Sequence, residues 1–187
     1  MVDLMREKSR GNGLGNKRWR RYADAFDRVE RCLSQGYHLE AIAILDSLIG
    51  DRLASRLAHL VGADSISVSA VGTLCRKLVG HKNDPGVEFD PAFREVVAEI
   101  KTWSVARNDA MHAIARIFRD EDPAVSFDDA MESHRQTVLE GIALLQRFDR
   151  LDTAVRKQRR KIPATVPGAF FPAERPASMR DPRPDAR

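Results

Sequence analysis

The stretch Asp90-Pro-Ala-Phe-Arg-Glu-Val-Val-Ala-Glu-Ile-Lys-Thr-Trp-Ser-Val-Ala-Arg-Asn-Asp-Ala-Met-His112 decides the fold. Aspartate followed by proline is a helix start: the carboxylate caps the free N–H groups, and proline fits the first turn, where its missing N–H is not needed. From there apolar residues recur at three and four. Phe93, Val96, Val97, Ile100, Trp103, Met111, Ile114 and Phe118 make one stripe, so a helix is predicted from Pro91 to about Arg119.

The same period runs through the rest of the middle of the chain, and no useful stretch alternates as a strand would. A first helix is expected from Lys17 to Gln35, closed by Gly36. A second, Leu39 to Leu60, carries Leu39, Ile42, Ile49, Leu53, Leu57 and Leu60, with Ile44 and Leu48 on another face; its first half should be covered on two sides. A short helix near Ser69 to Val79 stops at Gly80, and His81 to Glu88 form a loop. Ser126 with Asp129 resembles a capping box. It should open one last helix with Phe127, Met131, Val138, Ile142, Leu145 and Phe148 inward. The expected fold is all-α, an antiparallel bundle of four to five helices. Residues 17–161 form this single domain. Residues 1–16, with Gly11, Gly13 and Gly15, and residues 162–187, with six of the nine prolines, read as disordered tails.

Composition narrows the function classes. Lysine and arginine number 31 against 27 acidic residues, so a net charge of +4 gives no polyanion-binding surface by itself. The positive charge gathers in two runs, Lys17 to Arg21 and Arg156 to Lys161, each able to touch phosphates or to be a solvated helix end. Cys32 and Cys75 lack the spacing of a zinc site or redox dithiol and are expected to be reduced and near the core. His38, His59, His81 and His134 are scattered and read as surface or boundary residues, so neither metal nor cofactor is expected. No apolar run is long enough for a membrane span, and a cytoplasmic protein is expected.

Arg107 falls inside the apolar stripe of the Pro91 helix. A guanidinium aimed at a core needs a carboxylate or water. The second helix supplies one, since its inward positions are interrupted by Asp46; Glu40 and Asp51 are the alternatives. His112 lies about 140° round the helix from Arg107, with Asn108 one turn before it on the same flank. Asn108, Asp109, His112 and Arg116 can equally be a solvated polar face, with Arg107 a structural ion-pair residue.

Arg107-Asn108 followed by His112, late in an all-α bundle, resembles the Arg-x4-6-His motif of the HEPN superfamily. The segment from Gly36 to Leu53 and the segment Thr73-Leu-Cys-Arg-Lys-Leu78 resemble the long early helix and the short helix of those domains. The resemblance covers roughly residues 17–155. It implies a homodimer whose motif helices meet in one basic cleft, acting as a metal-independent endoribonuclease of the toxin, antiphage or RNA-processing kind, with RNA as substrate and an antitoxin or other regulatory protein as possible partner. His112 would act as acid or base, Arg107 would stabilise charge on phosphorus and Asn108 would orient the phosphate or the histidine ring, with Asp46, Asp109 and Arg116 around them. The superfamily also contains non-catalytic binding and scaffolding members.

Overall fold

The computed structural model describes residues 14–63, 66–67, 69–113 and 126–158. Six helical segments follow one another: α1 (Leu14–Ser34), α2 (His38–Leu60), α3 (Val71–Val79), α4 (Pro91–Ala113), α5 (Phe127–Glu132) and α6 (Arg135–Gln158). Among the described residues there is no strand, and an all-α bundle is the result. α1 begins at Leu14, three residues before the expected start, so Gly15 is helical. The remainder of both tails, and the far end of the Pro91 helix with Ile114, Arg116 and Phe118, lie outside the described residues.

Four long helices alternate in direction along the chain. Arg28 of α1 meets Glu40 of α2, and Arg107 of α4 meets Asp46 of α2. Phe93 near the start of α4 packs edge-on against Phe148 late in α6, their ring centres 5.5 Å apart. Because α2 and α6 are both separated from α4 by one reversal, they run the same way. Arg52 accordingly bonds Asp149, and Ser55 accepts from Arg156 at 2.7 Å. Inside lie Phe26, Ile42, Leu45, Ile49, Leu53, Leu74, Leu78, Ile100 and Leu145, all fully buried. α3 closes one side of α2 and α4, and both cysteines are free and buried, as their isolation in the sequence suggested.

Three expectations need correction. The single last helix is broken: Ser126 caps α5 by accepting from the Asp129 N–H, and α5 ends in a turn at Ser133 and His134 before α6 begins. The polar run Glu132 to Gln136 offers the core nothing to hold a continuous helix, and the turn brings Glu132 onto α2. There Glu132 bonds the Nε2 of His38 at 3.0 Å, so His38 is buried and is not a surface residue. Burial, with His38 nearby, also holds His134 below the usual histidine range. Met111, expected in the stripe, is exposed, because the inward positions of α4 pass from Trp103 through Arg107 to Ala110, and Met111 lies about 100° round from Ala110.

The contact between α4 and α6 is tight at one glycine. A Cβ at Gly141 would sit 2.9 Å from Cζ2 and 3.0 Å from Cε2 of Trp103, and 3.1 Å from Leu45 Cδ1. The indole cannot easily retreat, since its Nε1 donates to the Thr137 carbonyl at 2.8 Å. Gly141→Ala should regain up to about 1 kcal/mol of helix propensity. Overpacking costs about 1–3 kcal/mol and wins. The expected net loss is up to about 2 kcal/mol in a urea titration, and a raised midpoint would show that Trp103 can yield.

Candidate functional site

The site is built on the last turns of α4, and the start of that helix is fixed first. Asp90 Oδ1 accepts from the N–H groups of Ala92 at 2.9 Å and Phe93 at 3.3 Å, as its place before Pro91 predicts. The loop leading to it is pinned from both sides. Gly80, at φ +86°, turns where an added Cβ would meet the Asp84 carbonyl oxygen at 1.9 Å, and His81 and Asp84 exchange backbone hydrogen bonds. Arg94 donates to the carbonyls of Val79, Pro85 and Glu88.

Beneath that loop lies a buried ion pair that sequence reasoning missed. Arg56 of α2 donates from Nε to Glu88 Oε2 at 2.7 Å and from Nη2 to Oε1 at 3.1 Å, with its guanidinium 3.8 Å from the centre of the Phe93 ring. Both side chains are almost fully buried. The signal was present: Arg56 adjoins the inward Leu53 and Leu57, the same anomaly that singled out Arg107.

Arg107 meets the carboxylate that its position asked for. Its Nε donates to Asp46 Oδ1 at 2.8 Å, its Nη2 donates to the same oxygen, and its Nη1 donates to Asn108 Oδ1 at 2.5 Å. The pair is only partly covered, the side chains being 20% and 28% exposed, so water still reaches it. Asn108 and Asp109 are exposed. His112 is exposed one turn beyond Asn108, and among the described residues no hydrogen bond or ion pair links it to Arg107, Asn108, Asp46 or Asp109. Arg116 lies outside the described residues. Arg107, Asn108 and Asp46 are therefore brought together, while His112 shares only the face.

That face borders a groove of about 380 Å³ between α3 and α4, to which Thr73, Arg76, His81, Lys101, Arg107 and Asn108 contribute. Of these, Thr73, Arg76, His81 and Lys101 were not foreseen. Lys101 stands seven residues before Asn108 on the same face, a spacing that could have revealed it. It also lies beside the buried Cys75 thiol, which burial pushes up to about 12 against the opposing pull of the Lys101 ammonium. The two basic runs are described only in part. Arg156 is engaged by Asp152 at 2.7 Å and by Ser55, Arg20 and Arg21 are exposed, and the side chains of residues 17–19 and residues 159–161 lie outside the described part.

Comparisons with protein-family models, curated proteins and solved structures find no match. Among the described residues no three His, Cys, Asp or Glu side chains cluster as metal ligands do, and no helix is long and apolar enough to cross a membrane.

Proposed function

We propose that the chain is a HEPN-type endoribonuclease that works without a metal and as a homodimer, closing two copies of the α4 flank over an RNA strand. The observation that carries this reading is the ordered run on α4. Asp46 fixes the Arg107 guanidinium at the helix surface, Asn108 is bonded to it, and an exposed histidine follows one turn later beside a groove lined with cations.

The chemistry asks little more. His112 takes the proton of a 2′-hydroxyl, the 2′-oxygen attacks the adjacent phosphorus, and the P–O5′ bond breaks as the leaving oxygen gains a proton. The second N–H of Arg107 Nη1, whose other N–H is bonded to Asn108 Oδ1, and the amide nitrogen of Asn108 are the donors available to the phosphorane oxygens. A second α4 flank supplies the other acid or base and excludes water. Incubation of the purified protein with single-stranded RNA in excess EDTA should give fragments, and RNA left intact would overturn the reading. The cellular setting that follows is a toxin, antiphage effector or RNA-processing factor in the cytoplasm, restrained by an antitoxin or regulatory protein.

A second reading has its own observation. Each of the three nitrogens of Arg107 already makes a bond to Asp46 or Asn108, as in a residue that merely ties α4 to α2 within a silent RNA- or protein-binding module. Arg107→Ala separates the two. Loss of charge-assisted bonds should cost about 1–3 kcal/mol of stability in either case. In the nuclease, cleavage measured well below the melting transition should also fall by about 100-fold or more. RNA cleavage that survives Arg107→Ala at full rate would assign Arg107 to structure alone, and the silent module predicts no cleavage by the parent and a loss of stability only in the variant.

A further inference from the structure

Of the three basic side chains that line the α3–α4 groove besides His81, Arg107 is held by Asp46, whereas Arg76 and Lys101 are not held by any described acid. Arg28, Arg52, Arg56, Arg107, Arg147 and Arg156 each meet a carboxylate. Arg76 bonds only the Thr73 hydroxyl, at 3.3 Å, and neither Arg76 nor Lys101 forms an ion pair with any described carboxylate. No acidic side chain lines the groove. Two unneutralised cations facing one concave space leave a field that an anion would satisfy.

We propose that this groove is the track along which a single RNA strand reaches Asn108 and His112, with Arg76 and Lys101 as its phosphate contacts; this deepens the nuclease reading and rests on RNA being the substrate. Geometry favours a strand over a lone ion. The groove, about 380 Å³ and open to solvent, is wider than one inorganic anion needs. Lys101 and His112 share a face over about 16 Å of helix, long enough for several phosphates of an extended strand. Apolar surface for bases is present as well: the exposed Val105 lines the same groove, and the exposed Met111 stands beside His112. Thr73 and His81 add hydrogen-bonding groups at the α3 side, the latter held by the pinned loop.

The test uses the full chain carrying His112→Ala, so that RNA stays intact, and a fluorescein-labelled single-stranded RNA of about twelve nucleotides read by anisotropy in EDTA. Arg76→Glu/Lys101→Glu should weaken binding at least about tenfold and make the slope of log K against log salt shallower by about 1.4, two contacts at about 0.7 each. The charge-matched pair Arg31→Glu/Lys77→Glu, both exposed and outside the groove, should change affinity less than about threefold. Equal weakening by both pairs, displacement of the RNA by polyglutamate of equal charge, or no RNA binding by the parent would each overturn the track. Lys101→Gln, with an unchanged melting midpoint, should give an intermediate loss, guarding against a folding defect. The two proposals separate cleanly. Groove-dependent binding in a chain that never cleaves RNA leaves the track standing and removes the nuclease, whereas cleavage with groove variants that bind as the parent does removes the track alone.

Discussion

His112→Ala is expected to lower RNA cleavage by about 100- to 10,000-fold, the range lost when a general acid or base is removed. RNA affinity should hold, because the groove cations are untouched, and so should the melting midpoint, because His112 is exposed and makes no described hydrogen bond. The contrast with Arg107→Ala is the informative part: that variant should lose stability and rate together, while this one should lose rate alone. A His112→Ala protein that cleaves as fast as its parent would leave the exposed ring as one more solvated residue on the α4 flank.

Glu88→Ala should be the most damaging single substitution for the fold. It strands the Arg56 guanidinium, which is almost fully buried, without its bidentate partner, and removing one member of such a pair costs about 3–5 kcal/mol. One more bond goes with it, since Glu88 Oε1 also accepts from the Asp90 N–H at 3.1 Å, next to the cap of α4. Urea denaturation reads the loss directly. The double variant Arg56→Met/Glu88→Leu should recover most of it, because a well-packed apolar replacement removes both charges from the interior, and cation–π contact with Phe93 is the smaller quantity. A Glu88→Ala loss below about 1 kcal/mol would mean that water reaches Arg56 after all.

How much of this was legible beforehand follows from where the decisive forces lie. Helix starts and stops set by local chemistry were readable: the Asp90 cap, Gly80 with its positive φ and the Ser126 cap are all decided within four residues. The Arg107–Asp46 pair was readable for another reason, that an arginine on an apolar stripe must find a carboxylate, and one inward aspartate on the second helix was available. Arg56 posed the same question, yet its answer comes from a loop acid whose inward turn depends on Gly80, Asp84 and Arg94 acting together. Tertiary placement likewise hid the break between α5 and α6 and the burial of His38 under Glu132, because a six-residue helix is held by its neighbours more than by its own sequence. The groove was half legible. Lys101, Asn108 and His112 share a helical face that period alone predicts, while Thr73 and Arg76 reach it only because α3 lies across α4.

The most direct measurement is the chemistry of the ends left on RNA by parent and His112→Ala protein, incubated side by side in excess EDTA. Attack by the 2′-hydroxyl predicts fragments ending in a 2′,3′-cyclic phosphate and beginning with a 5′-hydroxyl in the parent lane, and intact RNA in the variant lane. Intact RNA in both lanes, or identical fragments in both, would contradict a nuclease centred on Arg107, Asn108 and His112.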